Sequence, residues 1–124
     1  MESESVLAII DRCEIGDWDF FGSDVLFDEM SMIADKVKKQ KILLLCQSAT
    51  LYVELTEEIV TRAKELEKHG IKPYDALHVA SAEFGEADIF LTTDRRLLNA
   101  TQRVDVKIKI NNPLKWLMEV LYEQ

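Results

Sequence analysis

The chain has 124 residues, with 23 acids against 15 bases and a formal net charge of −8. That length fits one domain, 1–124, burying roughly two-thirds of the surface its unfolded chain exposes. The 48% hydrophobic content excludes a disordered chain, and the acid surplus excludes a large basic nucleic-acid footprint while suiting capture of cations or of a basic partner.

No apolar stretch approaches the roughly 20 residues of a membrane span. The only cysteines are Cys13 and Cys46. Cys46 follows the apolar run Ile42 to Leu45 and reads as a small buried hydrophobe. With no signal-peptide pattern, two such thiols place the protein in a reducing cytoplasm.

In chain order, Val6 to Cys13 has helical spacing, and Gly16 ends it. Asp19 to Gly22 is a candidate short strand. Ser23 is placed as an N-cap with Asp24 in the first turn, and apolar positions at helical intervals predict a helix through about Val37. A second helix is predicted from Lys38 into the leucines near Leu45. Leu51 to Leu55 is strand-like, and Thr56 opens a strong helix through Lys68, closed by His69 and Gly70. Pro73 suits a first helical position, which predicts a helix to about Phe84 that stops at Gly85. The apolar run Ile89 to Thr92 predicts a strand buried on both faces. Asp94 starts a helix through Leu98. Val104 to Ile110 alternates as an edge strand does, and Asn112-Pro113 opens a last helix with Leu114, Leu117, Met118 and Leu121 on one side. Short strands alternating with helices predict an α/β domain with a mostly parallel sheet.

The acids carry the chemistry. Singly, each has a plain structural explanation. Asp75 lies in a first helical turn, where it complements the dipole; Asp94 is a favoured N-cap; Glu29 is a helix-surface residue. Jointly they say more. Ligands of a parallel α/β sheet bind beyond the carboxyl ends of its strands. Asp94 lies at such an end, Asp75 at the start of the helix feeding that strand, and Glu29 near the start of an earlier helix. Carboxylates converging there repel one another unless a cation neutralises them, and Mg²⁺ or Mn²⁺ is the natural guest. Thr92 and Thr93 flank the site, and Arg95 and Arg96 are candidates to grip phosphate. His78 is one turn on from Asp75; it can orient an acid, although a helix histidine satisfied by its neighbours is the commoner state.

These residues resemble a PIN domain, the fold of many metal-dependent ribonucleases, including the toxin half of numerous bacterial toxin–antitoxin pairs. The resemblance lies in Asp75 to Ala82, Ala87 to Asp94, Arg96 to Leu98, the closing strand, and Asn112 to Leu117. Ser23 to Glu29 resembles the family's second motif, with Asp28 a rival to Glu29. The resemblance implies that Glu29, Asp75 and Asp94 are catalytic metal ligands for Mg²⁺ or Mn²⁺, that RNA is the substrate, and that an antitoxin is a candidate partner. It also implies a three-layer α/β domain with helices flanking the sheet. The start departs from the pattern. The family opens with an apolar strand ending in an aspartate, whereas Met1 to Ser5 here lead directly into a helix, with Asp11 inside it and Asp17 and Asp19 in a polar turn. The expectation is an N-terminally truncated domain lacking its first central strand, with little or no turnover alone. Its unpaired strands near residues 51–55 and 89–91 would favour homo-oligomers. A different reading keeps the fold as a non-catalytic module that binds a basic protein.

Overall fold

The structure, a computed structural model, describes residues 2–49 and 51–122; the side chains of residues 2, 3, 45, 46 and 48 are outside that description, as is the reading of Cys46 as buried. The described residues form seven helices and four short strands: α1 (Glu2–Glu14), β1 (Phe21–Ser23), α2 (Asp24–Met30), α3 (Lys36–Ser48), β2 (Leu51–Val53), α4 (Glu57–Glu67), α5 (Pro73–Phe84), β3 (Ile89–Leu91), α6 (Arg95–Gln102), β4 (Lys109–Asn111) and α7 (Pro113–Tyr122). The fold is mixed α/β with parallel strands, as expected.

Helix starts follow the capping rules read from the sequence. Ser23 accepts from Leu26 N–H, Thr56 from Ile59 N–H, Asp94 from Arg96 and Leu97 N–H, and Asn112 from Leu114 and Lys115 N–H. One predicted helix divides. The segment from Ser23 to Val37 is helical only through Met30, because the Ser31 hydroxyl bonds Asp28 O and Asp35 caps a new helix through Val37 and Lys38 N–H. Glu29 therefore stands in the last turn of a short helix, and not near the start of a long one.

The strands pair in two separate parallel sheets, β1 with β2 and β3 with β4, in register Phe21–Leu51 and Ile89–Lys109. Helix α5 touches β2 and β3 and so spans the two sheets. Its inner face carries the core: Ala76, Val79 and Ala80 pack with Ile59, Ala63 and Leu66 of α4 and with Leu97 and Ala100 of α6. Phe90 and Ile110 lie against this core. Side chains alternate across a strand, so Ile89 and Lys109 point the other way, toward α7. There a cleft of about 490 Å³ lies between the β3–β4 pair and Trp116, Glu119 and Val120. Helices thus flank both faces of this pair, as a three-layer arrangement requires.

Burial corrects three expectations. Ile89, Phe90 and Leu91 are each only partly buried, because one edge of β3 has no strand beside it among the described residues and the cleft leaves the other face open. The edge strand is shorter than the predicted 104–110. Val104, Val106, Ile108 and Ile110 still alternate inward with Asp105, Lys107 and Lys109 exposed, yet only 109–111 joins a ladder. On α7, Met118 and Leu121 are exposed.

The end of α5 shows why glycine stands at position 85. Gly85 has ordinary helical dihedrals, but a Cβ there would meet Val53 Cγ2 at 2.8 Å. Glycine is needed for the close approach of helix to strand. The left-handed residue is the next one, Glu86, with φ of 57°, where Ala87 N–H bonds Ala82 O across the helix end. Glu86→Gly is expected to raise stability by about 0.5–1 kcal/mol, because it relieves a left-handed non-glycine residue. Thermal denaturation checks this; a lower midpoint would contradict the helix-end geometry.

Candidate metal centre

Pro73 starts α5 without a side-chain cap from Lys72, which places Asp75 in the first turn. The carboxylate of Asp75 is half-buried and has no hydrogen bond or ion pair among the described residues. Burial raises its pKa above the ordinary value, the charges of Asp94 and Glu29 raise it further, and His78 and Lys72 offset part of the effect. Two acids distant in sequence thus act on Asp75 at the start of α5.

Asp94 has a structural role whatever else it does. Its Oδ1 accepts from Arg96 N–H at 2.9 Å and Leu97 N–H at 3.3 Å, while its own N–H donates to Thr92 Oγ1 at 3.1 Å. Oδ2 carries no hydrogen bond among the described residues. Thr92 accordingly fixes the turn out of β3, and Thr93 is exposed. Arg95 and Arg96 are exposed beside Asp94 without an ion-pair partner among the described residues, and so are free to meet an anion.

Helix α2 meets α5 through adjacent acids. Tyr74 donates its hydroxyl proton to Asp28, and that contact holds the Tyr74 pKa above its ordinary value. Glu29 faces His78, with Oε2 3.3 Å from Nε2. Tyr74 and His78, one helical turn apart, thus receive Asp28 and Glu29 respectively. It is Glu29, and not its rival Asp28, that joins Asp94 in raising the Asp75 pKa. His78 thus has neighbours on several sides, with Tyr74 and Phe90 at its ring and Glu29 in ion-pair range of its buried Nε2, which makes no hydrogen bond among the described residues. Sequence pattern gave His78 no special standing, because its lack of a hydrogen bond depends on how α2 is placed.

Among the described residues, no three acid, histidine or cysteine side chains stand close enough together to hold an ion as they are. The side chains of Glu29, Asp75 and Asp94 are oxygen donors, the ligand type that Mg²⁺ and Mn²⁺ prefer.

The chain is thus a mixed α/β domain with parallel strands and with Asp75 and Asp94 at helix starts. The model of the PIN domain family matches residues 4–103, and the chain belongs to the PIN domain family. The match reaches further toward the start than the motifs do, taking in α1, and stops before β4 and α7. PIN domains are in general nucleases that use divalent metals. No curated protein and no solved structure matches the chain. No helix among the described residues is long and apolar enough to cross a membrane.

Proposed function

We propose that this chain is a cytoplasmic PIN domain of the endoribonuclease type, with Glu29, Asp75 and Asp94 holding Mg²⁺ or Mn²⁺ and an RNA phosphodiester as the bond hydrolysed. The observation that carries the reading is Asp75: a half-buried carboxylate with no hydrogen bond, repelled by Asp94 and Glu29. Such an arrangement costs stability and is characteristic of functional sites. A divalent ion bound there would polarise the phosphate and lower the pKa of an attacking water. Glu29 and Asp75 would orient that water and receive its proton, Arg95 and Arg96 would hold the phosphate, and Asp94 would keep α6 docked while offering Oδ2. Turnover is expected to be slow, because no three donors among the described residues are gathered before the ion arrives.

Cleavage of a mixed RNA pool in Mn²⁺ tests this. Asn caps helices about as well as Asp, so Asp94→Asn should keep the fold while cutting the rate at least about tenfold. Equal residual activity in both proteins would assign the cleavage to a contaminant.

The net charge of −8 favours a second reading, a non-catalytic module whose acidic surface holds a basic protein such as an antitoxin. The separate sheets bear on association in either case. The unpaired edge of β3 and the partly exposed Ile89 to Leu91 favour a homo-oligomer, since such an edge pairs readily with another chain. Sedimentation at tens of micromolar should show a dimer or larger species, and a clean monomer would remove the idea.

A further inference from the structure

We infer that the exposed bases of α6, β4 and the start of α7 form a track for single-stranded RNA, leading from Asp94 to a base-stacking face at Trp116. This rests on the ribonuclease reading above for the choice of RNA, and adds where the strand lies. The starting observation is an uneven charge. Residues 95–115 hold Arg95, Arg96, Arg103, Lys107, Lys109 and Lys115 against Asp105 alone, a net charge of +5 in a chain of −8. The acid surplus that argues against a basic footprint is therefore a property of the rest of the chain. Lys and Arg clustered on one part of a surface mark a nucleic-acid site whatever the total charge.

All six basic residues are exposed, and none makes an ion pair or a side-chain hydrogen bond among the described residues. Bases elsewhere do pair: Arg12 meets Asp17, Lys41 meets Asp11 and Arg62 meets Glu83. Helix α6 contributes the first stretch. Leu97, Ala100 and Thr101 are buried, whereas Arg95, Arg96, Asn99, Gln102 and Arg103 are exposed, and the helix contains no acid. At 3.6 residues per turn, Arg95, Asn99, Arg103 and Arg96 share an arc of about 100°. The helix begins at the residue after Asp94, so this stripe starts at the candidate metal centre and runs about 12 Å from it. Helix α6 packs on β4, where Lys107 and Lys109 are exposed in alternation with the inward Val106 and Ile108. Asn112 alone separates β4 from α7, which carries Lys115 in its first turn.

Charge alone would take any polyanion, and Trp116 supplies an independent cue. It is partly exposed, lies with Lys109 and Asn111 in the cleft beside α7, and is held by Trp18, with ring centroids 4.7 Å apart and a tilt of 59°. An aromatic face beside a basic track is how proteins hold single strands: unstacked bases lie on the ring while phosphates follow the cations. Asp88 and Glu119 line the same cleft. Carboxylates there repel a phosphate but accept base N–H groups, so the cleft suits a base. An acidic protein would satisfy the lysines and arginines yet set its own carboxylates against Asp88 and Glu119.

The test measures binding of a fluorescein-labelled single-stranded RNA to the whole chain by anisotropy, in chelator so that no cleavage intervenes. Log affinity should fall with log salt at a slope of about −2 or steeper, as three or more neutralised phosphates require. Combined Arg103→Gln, Lys109→Gln and Lys115→Gln should weaken binding at least about tenfold at low salt and flatten the slope by about 2. Combined Lys38→Gln, Lys64→Gln and Lys68→Gln removes the same charge from exposed lysines on or beside α3 and α4, and should weaken binding less than about threefold. Equal losses in the two variants would overturn the track. Displacement of the RNA by poly-glutamate as readily as by unlabelled RNA would also overturn it, and assign the surface to an acidic protein. On the unmodified chain, RNA should shift the Trp116 indole and the amides of 95–115 more than those of α3 and α4. The reverse pattern sinks the proposal even where a variant folds poorly. RNA that binds in chelator but is not cut in Mn²⁺ would remove the catalytic reading and leave the track. Cleavage by a chain whose RNA binding ignores the first triple substitution would do the opposite.

Discussion

Glu83→Ala is expected to cost about 3 kcal/mol of folding stability, because it breaks a buried ion pair from one side. The Glu83 side chain is 2% exposed. Its Oε1 accepts from Arg62 Nε at 2.8 Å, and its Oε2 from Arg62 Nη2 at 3.1 Å and Lys107 N–H at 2.9 Å. Arg62 also donates to Asp105 O at 2.8 Å and to Glu65 at 3.1 Å. One carboxylate thus ties α4, α5 and the segment leading into β4. Alanine would leave the Lys107 N–H without its acceptor and the 20% exposed Arg62 side chain half-paired. Thermal melting should fall by about 10 °C for a domain of this size. The pH dependence gives a second check. Burial alone would push the Glu83 carboxyl up, but hydrogen bonds from Arg62 and Lys107 outweigh it and hold the group below the ordinary value. A depressed folded pKa contributes stability that is complete above the ordinary carboxylate pKa and is lost as pH falls through the folded value. Wild type and Glu83→Gln should therefore converge in stability at acid pH. Replacing both partners, Arg62→Leu with Glu83→Leu, should recover much of the loss, since neither charge is then left alone. A double variant as unstable as the single one would place the effect elsewhere.

Asp75→Asn carries the second large effect, and its two parts have opposite signs. Metal-dependent RNA cleavage should drop by at least about 100-fold, since one of a cooperating set of groups is lost. Folding stability at neutral pH should rise. The Asp75 pKa is raised by burial and then by Asp94 and Glu29. An acid with a raised folded pKa binds more protons folded than unfolded between the two values, so stability falls as pH climbs through that interval. The uncharged amide avoids the penalty. Wild type should lose stability from the ordinary carboxylate pKa upward more steeply than the variant, and denaturant melts across pH measure this. A variant that loses both activity and stability would make Asp75 a structural residue and withdraw the site reading.

The residues that stop and start elements were legible in the sequence because their signals are local. Ser23, Thr56, Pro73, Asp94 and Asn112 mark helix starts through atoms within three residues of themselves. The PIN character of Asp75 to Asp94 was likewise carried by a continuous run. Competing local signals were harder to rank. The apolar spacing from Val25 to Val37 fits one helix, but Ser31 and Asp35 redirect the backbone and make two. Glycine at 85 has the pattern of a conformational stop, whereas its role is to let α5 approach Val53.

Helix starts, the parallel α/β class and the candidate acids Glu29, Asp75 and Asp94 thus follow from propensity, capping and pattern within short windows of the chain. Three features needed the folded molecule: β1–β2 and β3–β4 stay separate, Glu83 with Arg62 locks α4 to α5, and His78 keeps a buried nitrogen beside Glu29. Each depends on atoms brought together from distant parts of the chain. Their free energy comes from burial, which withdraws the water that would otherwise satisfy each polar group, and no window of sequence contains that contribution.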